Sequence, residues 1–328
     1  MHPFAGKKAD SIMNQRTLLG GLALLLLSLS SGCGDGGSGG PRAFLSLGTG
    51  GTGGIYYPIG GALASRLSVA DSLRQYTAEV TGGSVENVNR LREGQIDLGF
   101  ALAVTVYEAH EGGQDYETPF TDLRIIAPLY ANLVHVLVPR GSTVKSLAEL
   151  EGGRISVGSA GSGTEQVARQ ILEAYGFSYD DVDARYLTFS ESAASLRDGA
   201  IDAAIISVGY PAAAVLEATT TGGARLIPIE VEQVETLRDR YPYYSVGRIP
   251  AEAYPGVSEE ISTIAMMNWI VAREDLDSEV VRLLLEILRN DREALTQVHE
   301  MAGQIRVEDL ADAPISLHPD AEAWLQER

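Results

Sequence analysis

The chain has 328 residues, 45% of them hydrophobic, and a formal net charge of −19 at pH 7. That length accommodates about two ordinary domains, and the charge argues against nucleic acid or an anionic lipid surface as partner. A single cysteine excludes an internal disulfide.

Lys7, Lys8 and Arg16 precede an apolar run at 18–29, and Ser30-Ser31-Gly32 leads to Cys33. This is the plan of a signal peptide over residues 1–32, its apolar core too short to span a bilayer. The small residues before Cys33 resemble a bacterial lipoprotein signal, in which that cysteine becomes the lipidated first residue; plain secretion is the alternative. Residues 13–33 alone would also make a complete short signal, so the true start is either Met1 or Met13. The glycine-rich stretch within 33–42 reads as a flexible tether.

Beyond it, strand-like runs at 44–47, 76–80, 96–100 and 123–129 alternate with helical segments ending near 67 and spanning 85–94 and 104–110. This βαβαβ pattern favours a mostly parallel sheet with helices on its faces. The pattern restarts with strands at 134–138, 155–157, 184–189, 201–206 and 224–229, and helices at 146–151, 164–175 and 192–199. After residue 235 the alternation stops. A helix at 234–240, an extended run at 263–272 and an amphipathic helix at 278–298 follow, with Val280, Val281, Leu284, Leu285 and Leu288 on one stripe of the last. The expected architecture is α/β and two-lobed, each lobe a mostly parallel sheet flanked by helices, with a cleft between. Lobe I would start at 43–130, lobe II would occupy 131–235, and 236–328 would return to brace lobe I. The hinge is expected near 126–136 and 235–265.

Gly48, Gly50 and Gly53 match G-x-G-x-x-G, the spacing of a dinucleotide-binding turn. Glu79 lies well beyond the place a ribose-binding acid needs, so the nucleotide reading lacks its partner. The small-residue turn also recurs, as Thr81-Gly82-Gly83-Ser84, as the segment 158–164, and as Ser207-Val208-Gly209-Tyr210-Pro211. Each turn follows a strand and opens, or nearly opens, a helix. Glycine lets the backbone approach a ligand, and free N–H groups at a helix start attract an anion. Four such turns on two facing lobes would line a site for a small carboxylate; otherwise they only make tight turns and caps.

Other chemistries find no support. The histidines at 2, 110, 135, 299 and 318 lack metal-ligand spacing. Asp180-Asp181-Val182-Asp183 lacks the glycine and final glutamate of a calcium loop. No G-x-S-x-G turn is present. No catalytic residue, metal or cofactor is expected, and the chain does not read as an enzyme. Arg90, Arg140 and Arg248 stand near the predicted cleft or hinge, but none can be assigned as a carboxylate clamp.

The stretches "GTGGTGGIYYPIGGALA", "TGGSVENVNRLREGQIDLGF", "STVKSLAELEGGRISVGSAGSGTEQVARQILEAYG" and "DGAIDAAIISVGYPAAAV" resemble the TAXI family of solute-binding receptors. These serve TRAP transporters, which are importers driven by ion gradients. The resemblance runs from residue 44 to the end and is most specific over 47–100 and 142–215. It implies a two-lobed periplasmic binding protein fold that closes on its ligand, with the integral membrane subunits of a TRAP transporter as partner. Carried over by motif, the ligand residues are Thr52, Gly53, Gly54 and Tyr56, then Thr81, Gly83, Ser84 and Asn87. The third turn contributes Gly161, Ser162, Gly163 and Thr164, and the fourth Gly209, Tyr210 and Pro211. Of Tyr56 and Tyr57, one would lie over the ligand and the other pack inward. Relatives carry a glutamine and an acid just after "LGF", where this chain reads Ala101-Leu102-Ala103-Val104. That departure leans the expectation toward a small organic anion without a required amine, a dicarboxylate or a glutamate-like acid. A ligand sensor for a membrane signalling protein and an NAD(P)-binding oxidoreductase are the rival readings. The expected location is extracytoplasmic, anchored through Cys33.

Overall fold

The computed structural model describes residues 43–221, 223–310 and 313–327, which lie in one compact unit. The expected signal peptide, the lipidation at Cys33 and the tether fall outside the described residues. In chain order the first elements are β1 (Ala43–Gly48), α1 (Tyr56–Ala70), β2 (Arg74–Glu79), α2 (Ser84–Arg92), β3 (Leu98–Leu102), α3 (Ala103–Glu111) and β4 (Leu123–Pro139). Next come β5 (Arg154–Ser156), α4 (Gly163–Ala174), β6 (Asp183–Arg185), α5 (Phe189–Arg197), β7 (Ala203–Val208), α6 (Ala213–Thr220), β8 (Ala224–Ile227) and α7 (Val231–Arg240). The last are β9 (Ser245–Ile249), β10 (Ile261–Arg273), α8 (Ser278–Asn290), α9 (Arg292–Thr296) and α10 (Pro319–Gln326). Among the described residues no helix is long and apolar enough to cross a membrane.

All ten strands join one sheet, whose main path is β2-β1-β3-β10-β4-β7-β5-β6. The outer pairs β1–β2, β1–β3, β5–β6 and β5–β7 are parallel, as expected for strands joined by helical crossovers. The two long strands in the middle, β4 and β10, run antiparallel to their neighbours and pass through both halves. Residues 123–133 of β4 pair with β10, while residues 133–139 pair with β7 and β8. On β10, Asn268–Ala272 pair with β3, and Ile261–Ala265 pair with β9. Among the described residues these two strands are the only sheet connections between β2-β1-β3 and β7-β5-β6.

Helices cover both faces. The amphipathic stripe predicted on α8 is buried in the main core, with Val280, Val281, Leu284, Leu285 and Leu288 almost solvent-free. That core packs α8 on α1 and continues under α5 and α6. A second core beneath α4 and α7 takes in Leu102 and Val104 from the first half.

The structure differs from the sequence reading at several elements. Residues 123–129 and 134–138, read as separate strands, belong to one strand, β4. The segment 184–189 is a strand only at Asp183–Arg185, and Phe189 already begins α5. The helix read at 278–298 breaks into α8 and α9 at Asp291. The helix expected to follow the turn at 207–211 is α6, whereas strand β9 has no counterpart in the sequence reading. The expected boundary at 235 falls inside α7, which packs on α4 and β9 in the second half.

Candidate ligand-binding site

A cavity of about 230 Å3 lies between the two halves, over β4. It is smaller than the ~300–1,000 Å3 typical of drug-sized ligand sites. Its wall in the first half is Gly50–Tyr56, Val80, Gly82, Gly83, Ser84 and Leu102; the opposite wall is Ser159, Ser162–Thr164, Thr188–Ser190, Ser207 and Val208. Tyr130 and Asn132 of β4 form the floor. No charged side chain is among these residues.

What the lining offers is helix starts. The N-termini of α1, α2, α4 and α5 all open onto the cavity, at Tyr56, Ser84, Gly163 and Phe189. First-turn N–H groups have no intrahelical acceptor and carry the positive end of the helix dipole. Local sequence sets each start. Gly83 takes a φ of +125°, a conformation that side-chain-bearing residues avoid, just before α2. The Ser162 hydroxyl accepts the Glu165 N–H at 3.1 Å to cap α4. Thr188 and Glu191 form a reciprocal capping box at the start of α5.

The halves touch around the cavity. The Glu86 N–H donates to the Gly161 carbonyl at 2.9 Å, and the Ala214 N–H to the Gly53 carbonyl at 3.3 Å. A Cβ on Gly53 would lie 2.6 Å from the Ser190 hydroxyl, and one on Gly82 would lie 2.8 Å from the Ala160 carbonyl. A Cβ on Gly163 would lie 2.8 Å from both Leu102 and the Ser84 hydroxyl. These glycines stand where the two walls meet.

Of the residues named from sequence, Thr52, Gly53, Gly54, Tyr56, Gly83, Ser84, Ser162, Gly163 and Thr164 line the cavity. Thr81, Asn87, Gly161, Gly209, Tyr210 and Pro211 are not in its lining. Asn87 is fully buried behind the wall, where Nδ2 donates to the Thr49 carbonyl at 2.7 Å and the Phe100 carbonyl at 2.8 Å. The Thr81 hydroxyl lies 2.8 Å from Asn87 Oδ1 in the same cluster. Gly161 spends its carbonyl on Glu86. Gly209 packs under Ile55 and Tyr130, and the Pro211 carbonyl lies 3.0 Å from His299 Nε2. Tyr57 points outward rather than into the core, 39% exposed, and Tyr56 alone faces the cavity.

Phe189, Ser190, Thr188, Asn132 and Tyr130 were missed, while Ser207 belongs to the fourth turn already expected at the cleft. The Thr-x-x-Glu spacing of residues 188–191 marks a helix start and would have placed Phe189 and Ser190 at the cleft. The three candidate arginines are occupied elsewhere. Arg90 pairs with Glu79, Arg140 donates to the Thr219 carbonyl, and Arg248 pairs with Glu260. With Glu79 so engaged and no acid in the lining, no residue stands ready for a nucleotide ribose. Residues Ala101–Val104 are all buried, and Leu102 gives that wall an apolar surface.

Under the cavity runs a polar chain. The Tyr56 hydroxyl donates to Asn268 Oδ1, and Asn268 Nδ2 donates to the Tyr130 carbonyl and to Asn132 Oδ1, both at 2.7 Å. Asn132 Nδ2 donates to the Ser207 carbonyl at 3.0 Å. Burial pushes the Tyr56 hydroxyl far above its ordinary range, against a smaller opposing effect of Ser84.

Two lobes of helix-flanked sheet, joined by two crossing strands over a cleft, are the fold of periplasmic solute-binding proteins. Solved structures share it: MatC from Rhodopseudomonas palustris with bound malate superposes at a TM-score of 0.56, with 13% identity, over 88% of this chain and 98% of that one. PhnD1 from Prochlorococcus marinus in complex with methylphosphonate gives 0.53, with 15% identity, over 79% and 90%. The NMT1-like family model matches residues 47–328, and the chain belongs to that family. A curated Escherichia coli K12 protein, described as a putative aliphatic sulfonates-binding protein, is 28% identical over 142 residues. That match covers 42% of this chain and about two fifths of the relative's length.

Proposed function

We propose that this chain is an extracytoplasmic receptor that captures a small organic anion between its lobes and presents it to a membrane importer. The observation that carries this reading is a small cavity without any charged side chain, onto which four helix N-termini open. Such a site favours negative charge through N–H groups and helix dipoles alone. Sulfonate, malate and methylphosphonate, named for proteins similar to this one, are all small anions. The TAXI-like motifs favour a TRAP-type importer as the partner, and Cys33 would hold the receptor at the membrane. The ligand would stabilise the closed form by contacts made to both lobes at once.

The test is a thermal-shift screen of the chain from Pro41 onward against C4–C5 dicarboxylates, alkanesulfonates, alkylphosphonates, NAD(P) and simple amines. Ligand at one hundred times its Kd stabilises by about 2.7 kcal/mol. Stabilisation by at least one anion class and by none of the amines is the expected result. A response to NAD(P) alone, or to no anion at all, overturns it.

A further inference from the structure

We infer that Asn132 and Asn268 set the hydrogen-bond polarity of the cavity floor, so that the site takes an organic anion bearing a hydroxyl and rejects its amino counterpart. This deepens, and rests on, the anion-receptor reading above.

Both asparagines sit on the crossing strands, where the sheet is irregular. The β10–β4 register shifts between Met267 and Trp269, and Asn268 lies within that shift. A register irregularity leaves backbone groups out of the ladder, and the Tyr130 carbonyl takes its donor from the Asn268 side chain instead. A carbonyl can only accept, so the amide nitrogen of Asn268 must face Tyr130. The Ser207 carbonyl fixes Asn132 by the same argument, with its nitrogen toward Ser207. Asn132 Oδ1 then faces Asn268 and takes its second N–H. Asn268 Oδ1 is left for Tyr56, whose hydroxyl must donate to it. Two backbone carbonyls therefore decide the direction of every bond in the chain, whichever way each amide is first drawn.

The consequences reach the cavity surface. The Tyr56 proton points down into Asn268, so its oxygen offers lone pairs only. The second N–H of Asn132 lies on the Ser207 hydroxyl side, at 3.4 Å from Oγ, which leaves the Ser207 proton to point elsewhere. The Ser84 hydroxyl already accepts the Leu102 N–H at 3.1 Å, so its own proton goes to Tyr56 or to a ligand. Asn132 Oδ1 and Asn268 Oδ1 are already taken by donors within the chain, so the acceptor it turns toward the cavity at Tyr56 is a neutral phenol oxygen. A ligand hydroxyl matches it with a single proton. An ammonium brings three N–H groups and a positive charge into a site ringed by helix N-termini, and no carboxylate lines the cavity to pair with it. Of the acids in the first turns of these helices, Glu86 is held by the Gly82 N–H at 2.7 Å and faces Arg90 at 3.8 Å, Glu165 lies 3.8 Å from Arg169, and Glu191 is held by Thr188 at 2.8 Å. A desolvated charge without a partner is strongly disfavoured.

The test compares matched pairs by calorimetry on the chain from Pro41 onward: L-malate with L-aspartate, 2-hydroxyethanesulfonate with taurine, and 2-hydroxyethylphosphonate with 2-aminoethylphosphonate. In whichever anion class binds, the hydroxy member should bind tighter by roughly tenfold or more. Asn132→Asp, which keeps the shape and adds an acid to the floor, should bring that ratio to one or below. A role in folding alone would weaken both members equally and leave the ratio untouched, which would overturn the inference. Equal or tighter binding of the amino member by the unaltered protein also overturns it, and that measurement stands even where the variant does not fold. If no anion of any class binds, the receptor reading itself falls.

Discussion

At the level of single residues, the closest approach of the lobes is made by glycine. Gly163 has an ordinary helical conformation, so what it supplies is space: a methyl group there would press on Leu102 and Ser84 of the opposite wall. Overpacking of this kind costs about 1–3 kcal/mol, and here it falls only on the state in which the walls meet. Gly163→Ala should therefore raise the Kd of the captured anion roughly tenfold to a hundredfold and shrink the ligand-induced thermal shift. Calorimetry on the variant checks this; unchanged affinity would mean that ligand binds without the walls meeting. Residues of this kind were legible in the sequence, because a run of glycine and serine at a strand end has few other uses. Asn87 was not. A buried amide that stitches a turn to a neighbouring strand needs the same residue type, one helical turn from Ser84, as an amide that holds a ligand. Only its bonds to Thr49 and Phe100 separate the two uses.

At the level of elements, helices α3 and α4 form a polar seam between the lobes. Glu108 of α3 accepts from Gln170 at 2.7 Å and from Gln166 at 3.2 Å, while Asp115 pairs with Arg169 at 2.5 Å. Desolvation, and next the Asp115 charge, push the Glu108 carboxyl up to about 7. Its contribution to stability is full while the unfolded chain is also protonated, below about 4.5, and is lost as pH rises toward 7. His135 works in the opposite direction. It is buried beneath Tyr254, its Nδ1 3.0 Å from the Leu133 carbonyl, and desolvation pulls it down to about 4. Its contribution is full above 6.5 and is lost as pH falls toward 4. Urea unfolding between pH 4.5 and 8 should show Glu108→Gln gaining stability over the parent protein as pH rises to 7, with a constant gap beyond. A gap independent of pH would show that the carboxyl ionises freely in the folded protein. This seam left no trace in the sequence, where nothing marks the glutamine and glutamate of α3 and α4 as facing each other rather than solvent. Strand β4 escaped for a related reason: Ala131 and Asn132 interrupt its apolar run where the strand leaves one lobe's ladder for the other's.

At the level of the whole molecule, the alternation of strands and helices was enough to give the α/β class and the two lobes. The return of the chain was harder to read, because an extended apolar run such as 263–272 fits any central strand. Strand β9 is its neighbour in sequence, but its other partners, β3 and β4, lie far away along the chain. The same feature bears on how the protein reaches this state. Phe100 of β3 has Ile270 opposite it, so lobe I has no finished sheet until residues as late as Ile270 have been made. Lobe II, by contrast, draws β5, β6, β7 and β8 from one continuous stretch. Because distant pairings form late, pulse-labelled hydrogen exchange during refolding should find β7 amides protected before those of β3. Simultaneous protection would mean that β10 docks early enough to nucleate both lobes. Until it docks, the paired edge of β3 stands open, an adhesive surface of the kind that aggregates. A chain built this way has its most hazardous moment just before the segment from Ile261 onward arrives, which is where a chaperone holding the β3 edge would do the most good.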